Sequence, residues 1–271
     1  METFSCKTKI ISGKGALEAL SGLSIRRFFL VSDPYFVRTG AASRAAALTK
    51  AQDICVFDRV EPDPTVTLAA EGTAKLRAFC PDAIGALGGG SAMDLAKTMA
   101  YFAGGDARLI AIPTTSGSGS EVTNFSILTH QGVKHPLVDE KLRPDYAILD
   151  SDLLRELPPA LIADTGFDVL THAAEAVAAG GAGPVTDALA REAFAVCFRE
   201  LPASFGGDSS RRLDIHLAAT MAGMAFSGAG LGLCHAMAHS LGGLFHVPHG
   251  RLNAILLPSV MACNAPVAGK A

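Results

Sequence analysis

Residues Ala83 to Lys97 read AIGALGGGSAMDLAK, and this stretch decides the fold. AIGALG is a short apolar run of the kind buried inside a parallel sheet. SAMDLAKTMAYFA repeats apolar residues at spacings of three and four, the period of a helix. Gly88, Gly89 and Gly90 join the two. Ser91, followed three residues later by Asp94, has the pattern of a capping box and sets the helix start there. A strand that turns through glycine directly into a helix leaves unpaired N–H groups and the positive end of the helix dipole facing outward. That suits a pyrophosphate. The same turn also serves with no ligand, so the loop by itself does not decide function.

Outward from this unit the pattern repeats. RFFLVSD, ICVF and ARLIAIPTT read as strands, and AASRAAALTK and TVTLAAEGTAKLRAF as helices. Alternation of this kind predicts a parallel sheet with helices on both faces. The strand at ARLIAIP runs into IPTTSGSGSEVT, a second loop of small hydroxyl-bearing residues and glycines. Two such loops after successive strands point to a dinucleotide laid across the carboxyl edge of the sheet. The GxGxxG fingerprint is absent, so the binding mode differs in detail from an ordinary Rossmann domain. Asp33 ends the FLVSD strand. Its carboxylate can accept from ribose hydroxyls and repel a 2′-phosphate, which favours NAD over NADP. It can equally be a turn aspartate.

After about Asp150 the texture changes. PPALIADTGFDVLTHAAEAVAA, VTDALAREAFAVCFRELPASF and RRLDIHLAATMAGMAFSGAG are helical in period, separated by AAGGAGP and SFGGDSSRR. The chain therefore divides into an α/β dinucleotide-binding domain, 1–155, and an all-α domain, 156–271. In the second, Asp168 and His172 stand four residues apart, on one helical face, and can grip one divalent ion. CHAMAHSLGGLFHVPHG, Cys234 to Gly250, holds four of the eight histidines. His235 and His239 are again four apart. SLGG is expected to break that helix, and PHG to present His249 on a loop. On spacing alone the ion takes His235, His239 or both. No glutamate follows His235, which argues against an HExxH zinc protease. Nitrogen and oxygen donors without thiolate suit Fe(II) or Zn(II). Cys234 is not read as a ligand, His246 is placed at the surface or cleft rim, and His130, His135 and His216 are read as structural.

Composition narrows the remaining classes. With 49% hydrophobic and 18% charged residues, a chain of this length builds real cores. A net charge of −3 without a basic block gives no electrostatic case for nucleic acid. No apolar run is long enough to span a membrane. No secretory signal is read at the start, and six scattered cysteines without a CxxC pair fit a reducing cytoplasm.

Taken together, GGGSAMDLAK, IPTTSGSGSEVT, ILDSDLLRELPP, ADTGFDVLTHAAEAV and GLCHAMAHSLGGLFHVPHGRLNAILLP resemble the iron-dependent (group III) alcohol dehydrogenases, in the family's order and over nearly the whole chain. METFSCKTKIISGKGAL and ADTGFDVLTHA look most like the 1-propanol dehydrogenases of propanediol utilisation. The resemblance implies a dehydroquinate synthase-like fold and four metal ligands: Asp168, His172, His235 and His249. It puts His239 near the nicotinamide, as a catalytic proton relay or a wall of the pocket. It implies a cofactor set of Asp33, Gly89, Gly90, Ser91, Thr114, Thr115, Ser118 and Lys134. Many relatives carry asparagine in the stretch that reads EPDPT here, so Asp63 is left out of that set. Family members continue with several helices beyond the position of Ala271. The helical domain is accordingly expected to be incomplete at its C-terminal end, with apolar surface exposed.

The function so implied is reversible hydride transfer between NAD(H) and a short primary alcohol or aldehyde, with Fe2+ (or Zn2+) as Lewis acid. A homodimer or larger homo-oligomer is implied, in the cytoplasm or within a bacterial microcompartment. A zinc-dependent polyol dehydrogenase acting on glycerol-like substrates and a non-catalytic nucleotide- or partner-binding fragment are the competing readings.

Overall fold

The structure, a computed structural model, describes residues 4–245 and 247–266. Two compact units emerge. The first comprises Lys7–Thr114 and Ser120–Leu153; the second gathers, among the described residues, those up to Cys6, Thr115–Gly119 and those from Leu154 onward.

In the first unit the strands are β1 (Lys9–Gly13), β2 (Arg27–Ser32), β3 (Asp53–Phe57), β4 (Ala83–Gly88), β5 (Arg108–Pro113), β6 (Phe125–His130), β7 (Val133–Val138) and β8 (Tyr146–Asp150). The helices are α1 (Pro34–Arg38), α2 (Ala41–Leu48), α3 (Val66–Phe79) and α4 (Gly90–Ala103). Six strands form one sheet in the order β1-β8-β5-β4-β2-β3, parallel throughout. Side chains alternate between faces along each strand. Phe29, Val31, Ile84, Ala86, Leu109 and Ala111 pack with α3 and α4 on one face. Phe28, Leu30, Ala83, Leu87, Ile110 and Ile112 pack with α2 and Leu17 and Leu20 on the other. The inner strands β2, β4, β5 and β8 are thus covered on both sides, which is why they are continuous apolar runs, whereas Ile54 and Val56 on the edge strand β3 stay exposed. The antiparallel β6–β7 hairpin was not legible as such.

The order reverses between β2 and β4, since β3 follows β2 on one side and β5 follows β4 on the other. Ligands favour that switch point at the carboxyl ends. Asp33 and the Gly88–Ser91 turn occupy it. One local expectation fails there. Helix α4 starts at Gly90 with Gly89 as its N-cap and no side-chain cap bond. Ser91 is inside the first turn, and Asp94 instead accepts from Ser120 Oγ at 3.0 Å, so the capping box is not made.

The second unit is helical: α5 (Pro159–Ala178), α6 (Pro184–Phe205), α7 (Arg212–Ala229), α8 (Leu233–Phe245) and α9 (His249–Asn264). Pro159 opens α5 at the position where a missing N–H costs nothing. Small buried residues, among them Ala173, Ala176, Ala190, Ala193, Ala218, Ala222 and Ala225, let α5, α6 and α7 approach closely. Two expectations are corrected. SLGG does not end a helix: α8 runs through it to Phe245, because α9 packs along it and tertiary burial outweighs about 1 kcal/mol of propensity per glycine. His249 is not on a loop but is the first residue of α9. Leu244, Phe245 and Ile255 on α8 and α9 are exposed. No single helix among the described residues is long and apolar enough to cross a membrane.

Candidate metal centre and cofactor edge

Asp168, His172 and Glu175 lie at i, i+4 and i+7 on α5, one stripe of one helix. Helix α9 meets that stripe because of Gly250. A Cβ there would overlap the Asp164 carbonyl and press on Asp168 Cβ, so only glycine admits this approach. Arg251 clasps Asp164 through Nε and Nη2, both at 3.1 Å, and fixes the same crossing. His249 is thereby set against Asp168.

The donor atoms converge. His249 Nε2 is 3.6 Å and His235 Nε2 3.7 Å from Asp168 Oδ1, and the ligand atoms of these three residues all lie within 4.8 Å of one another. Such distances are too long for good hydrogen bonds. They match donors sharing an ion, since two atoms each about 2.1 Å from a tetrahedral centre are about 3.4 Å apart. His172 adjoins this group without being part of it. Its Nδ1 is 3.9 Å from the same Oδ1 and is buried with no hydrogen bond. Its ring is stacked between Phe226 and His235, with centroids at 4.4 and 4.3 Å. The donor set and the orphaned imidazole nitrogen fit a divalent ion held by nitrogen and oxygen.

The electrostatics follow from burial and crowding. Burial acts to raise the Asp168 pKa, but the imidazoles of His172, His249 and His235 outweigh it and hold the carboxyl well below the usual carboxylate range. Burial, helped by the neighbouring His235 and His249, pushes His172 down to about 3 despite Asp168, so its ring is neutral and keeps a lone pair. For His235 burial works downward, yet the neighbouring carboxylates of Asp168 and Glu175 carry it up to about 9. An ion binding there displaces a proton.

Two residues escaped the sequence reading. Glu175 Oε2 is 2.6 Å from His235 Nδ1. Asn253 Nδ2 donates to Asp168 Oδ1 at 2.8 Å and lies 3.3 and 3.2 Å from Nε2 of His235 and His249. Both stand at helical spacing from a ligand, seven after Asp168 and four after His249, and that spacing was the available signal. Cys234 is buried beside Asn253 with its thiol pushed up to about 12 by burial, then by Glu175 and Asp168. His239 is half-buried, its ring 6.4 Å from that of His235 and 4.7 Å from that of His249. His216 is hydrogen-bonded with Ser116 Oγ at 2.9 Å. His246 lies outside the described residues.

The cofactor residues divide. Asp33, Gly89, Gly90, Ser91 and Thr114 sit at the carboxyl ends of the adjacent strands β2, β4 and β5. Thr114 N donates to Gly88 O at 2.9 Å. Asp33 caps α1 with Oδ1, accepting from Tyr35 N and Phe36 N, while Oδ2 points at the Gly88 turn. Thr115 and Ser118 belong to the second unit, where the neighbouring glycines serve packing. A Cβ on Gly117 would come 2.9 Å from Thr165 Cβ, and one on Gly119 2.6 Å from Gly223 Cα. Lys134, on β7, is ion-paired with Asp63 at 2.6 Å.

Two family models match: "Iron-containing alcohol dehydrogenase" over residues 7–151 and "Fe-containing alcohol dehydrogenase family, C-terminal" over 162–271. The chain is 43% identical over 274 residues to 1-propanol dehydrogenase PduQ of Citrobacter freundii, covering 98% of this chain and 74% of that one. The iron-containing alcohol dehydrogenase of Thermococcus thioreducens superposes with a TM-score of 0.93 at 38% identity, over 98% of this chain and 77% of the other. Sulfoacetaldehyde reductase of Bifidobacterium kashiwanohense, solved with NAD+, gives 0.92 at 28% identity, over 97% and 77%. The parallel sheet, the helical unit and the clustered Asp168, His235 and His249 agree with these matches, and the chain belongs to the iron-containing alcohol dehydrogenase family.

Proposed function

We propose that this protein is an NAD-dependent alcohol dehydrogenase that interconverts a short primary alcohol, with 1-propanol as the type, and its aldehyde. Residues 1–155 act as the cofactor domain and 156–271 as the metal domain. The reading is carried by the convergence of Asp168 Oδ1, His235 Nε2 and His249 Nε2. These three, with His172 as the fourth ligand, would hold Fe(II). The bound ion supplies Lewis acidity toward the substrate oxygen.

The chain's own groups do the rest. Asp168 stays ionised and offsets part of the ion's charge. Neutral His172 offers a lone pair rather than a competing positive charge. His239, one turn beyond His235, is assigned to moving the hydroxyl proton. Asp33, Gly89, Gly90, Ser91 and Thr114 form the dinucleotide edge, with the Asp33 carboxylate selecting against a 2′-phosphate. Thr115, Ser118 and Lys134 complete the proposed cofactor set. The same reading assigns a homodimer or larger assembly, free in the cytoplasm or enclosed in a protein shell.

The test is elemental analysis of anaerobically purified protein, with NADH oxidation by propionaldehyde before and after Fe(II) loading. About one iron per chain is expected, with turnover that is lost in His235→Ala and His249→Ala and weaker with NADPH. Protein that takes up no divalent ion and shows no aldehyde-dependent NADH oxidation overturns the proposal.

A further inference from the structure

Glu175 is 4% exposed and spends both carboxylate oxygens on the start of α8. Oε1 accepts from Cys234 N at 2.6 Å. Oε2 accepts from Gly232 N at 3.1 Å and His235 N at 3.3 Å, and faces His235 Nδ1 at 2.6 Å. The first N–H groups of a helix have no partner within it, so a carboxylate reaching over from α5 caps α8 in place of a local side chain. Its charge also suits the positive end of the α8 dipole. Gly232 is matched to it: a Cβ there would come 2.7 Å from Oε1.

The consequence reaches the ion. The groups within hydrogen-bond distance of the Glu175 carboxylate are three backbone N–H groups and the His235 ring nitrogen, so a carboxylate, which only accepts, fixes Nδ1 of His235 as the donor. The imidazole then coordinates through Nε2, the nitrogen turned toward Asp168. An outer carboxylate that holds a ligand histidine orients the ring and strengthens it as a base. We infer that Glu175 is a positioning residue of the metal centre, holding His235 as the Nδ1–H tautomer and anchoring the helix that carries it. This rests on the metal reading given above. Because α5 supplies Asp168, His172 and Glu175, one helix sets both the ligands and the support of the ligand opposite.

Glutamine cannot replace it. In either orientation of the Glu175→Gln amide, an NH2 group faces an N–H donor, and when it faces His235 it favours the Nε2–H tautomer, whose coordinating lone pair is blocked. The experiment uses the full chain stripped of metal, with Zn(II) as the probe. Zn(II) affinity is measured by competition with a chromophoric chelator in wild type and E175Q, and the histidine tautomers of the Zn(II)-loaded wild type by long-range 1H–15N NMR. Expected are an Nδ1–H, Nε2-bound His235 in wild type and an affinity about 10–100-fold lower in E175Q. A purely structural role for Glu175 would leave the tautomer unconstrained. An unprotonated Nδ1 in wild type, or unchanged affinity in E175Q, overturns the assignment while the metal reading stands. If E175Q does not fold, the wild-type tautomer decides alone. If wild type binds no Zn(II), the metal reading falls and this assignment with it.

Discussion

Lys97→Met tests how the first unit tolerates charge inside its core. Lys97 is 1% exposed. Its Nζ reaches Ser120 Oγ at 2.8 Å, Thr123 O at 3.0 Å, Thr123 Oγ1 at 3.1 Å and Phe125 O at 2.9 Å. Ser120 in turn donates to Asp94, so the hydroxyl bridges the buried ammonium and a half-buried carboxylate. Burial lowers Lys97 to about 8 against the pull of Asp94 and Glu121. Methionine keeps the apolar stem and most of the volume, so the cavity contribution is small. What is lost is the compensating charge for Asp94 and the donor for two carbonyls. Removing one partner of a buried pair costs about 3–5 kcal/mol, and K97M is expected to lose that much. Asp94→Asn combined with K97M should recover about 1–3 kcal/mol, because Asp94 no longer leaves a carboxylate without its compensating charge. Urea unfolding at neutral pH with chelator present, followed by far-UV circular dichroism, measures both. Stability within about 1 kcal/mol of wild type for K97M, or strict additivity in the double mutant, would refute the reasoning.

Asp94 also carries a pH signature. Burial lifts its pKa to about 6, beyond the lowering by Lys97 and Ser120. The folded state therefore binds that proton more tightly than the unfolded chain. Its contribution to stability is full below the ordinary 3.8 and lost as pH rises through about 6. The wild-type minus D94N difference in unfolding free energy should fall across that window; a flat or rising difference speaks against it. Asp33→Ser retains a residue able to cap α1 while removing the carboxylate at the Gly88 turn. The ratio of kcat/KM for NADPH to that for NADH should rise about tenfold or more, and an unchanged ratio removes Asp33 from the cofactor set. Gly119→Ala places a Cβ at φ +61, 2.6 Å from Gly223 Cα. Left-handed strain and the forced separation of the two backbones should together cost about 2–4 kcal/mol, read as a lower Tm.

Much of this was written in local sequence. The runs that became β2, β4 and β5 are apolar because both faces of a parallel sheet are covered there, and helical period marked α3 to α7. The i, i+4 spacing placed Asp168 and His172 on one face without any structure, since helical geometry is a property of the chain alone. Local patterns failed where partners were distant. SLGG reads as a break, yet α8 continues because α9 lies along it. Ser91 and Asp94 read as a cap, yet Asp94 belongs to a buried network with Ser120 and Lys97. Glu175 reads as one more helical carboxylate: its spacing from Asp168 places it on the ligand stripe but does not reveal its partner on another helix. Sequence by itself determined the strand–helix alternation and the donor types. Only tertiary structure brought His235 and His249 to Asp168 and gave Glu175 its partner, because an ion site and an outer hydrogen bond depend on separations of a few ångströms between helices that no spacing along one helix specifies.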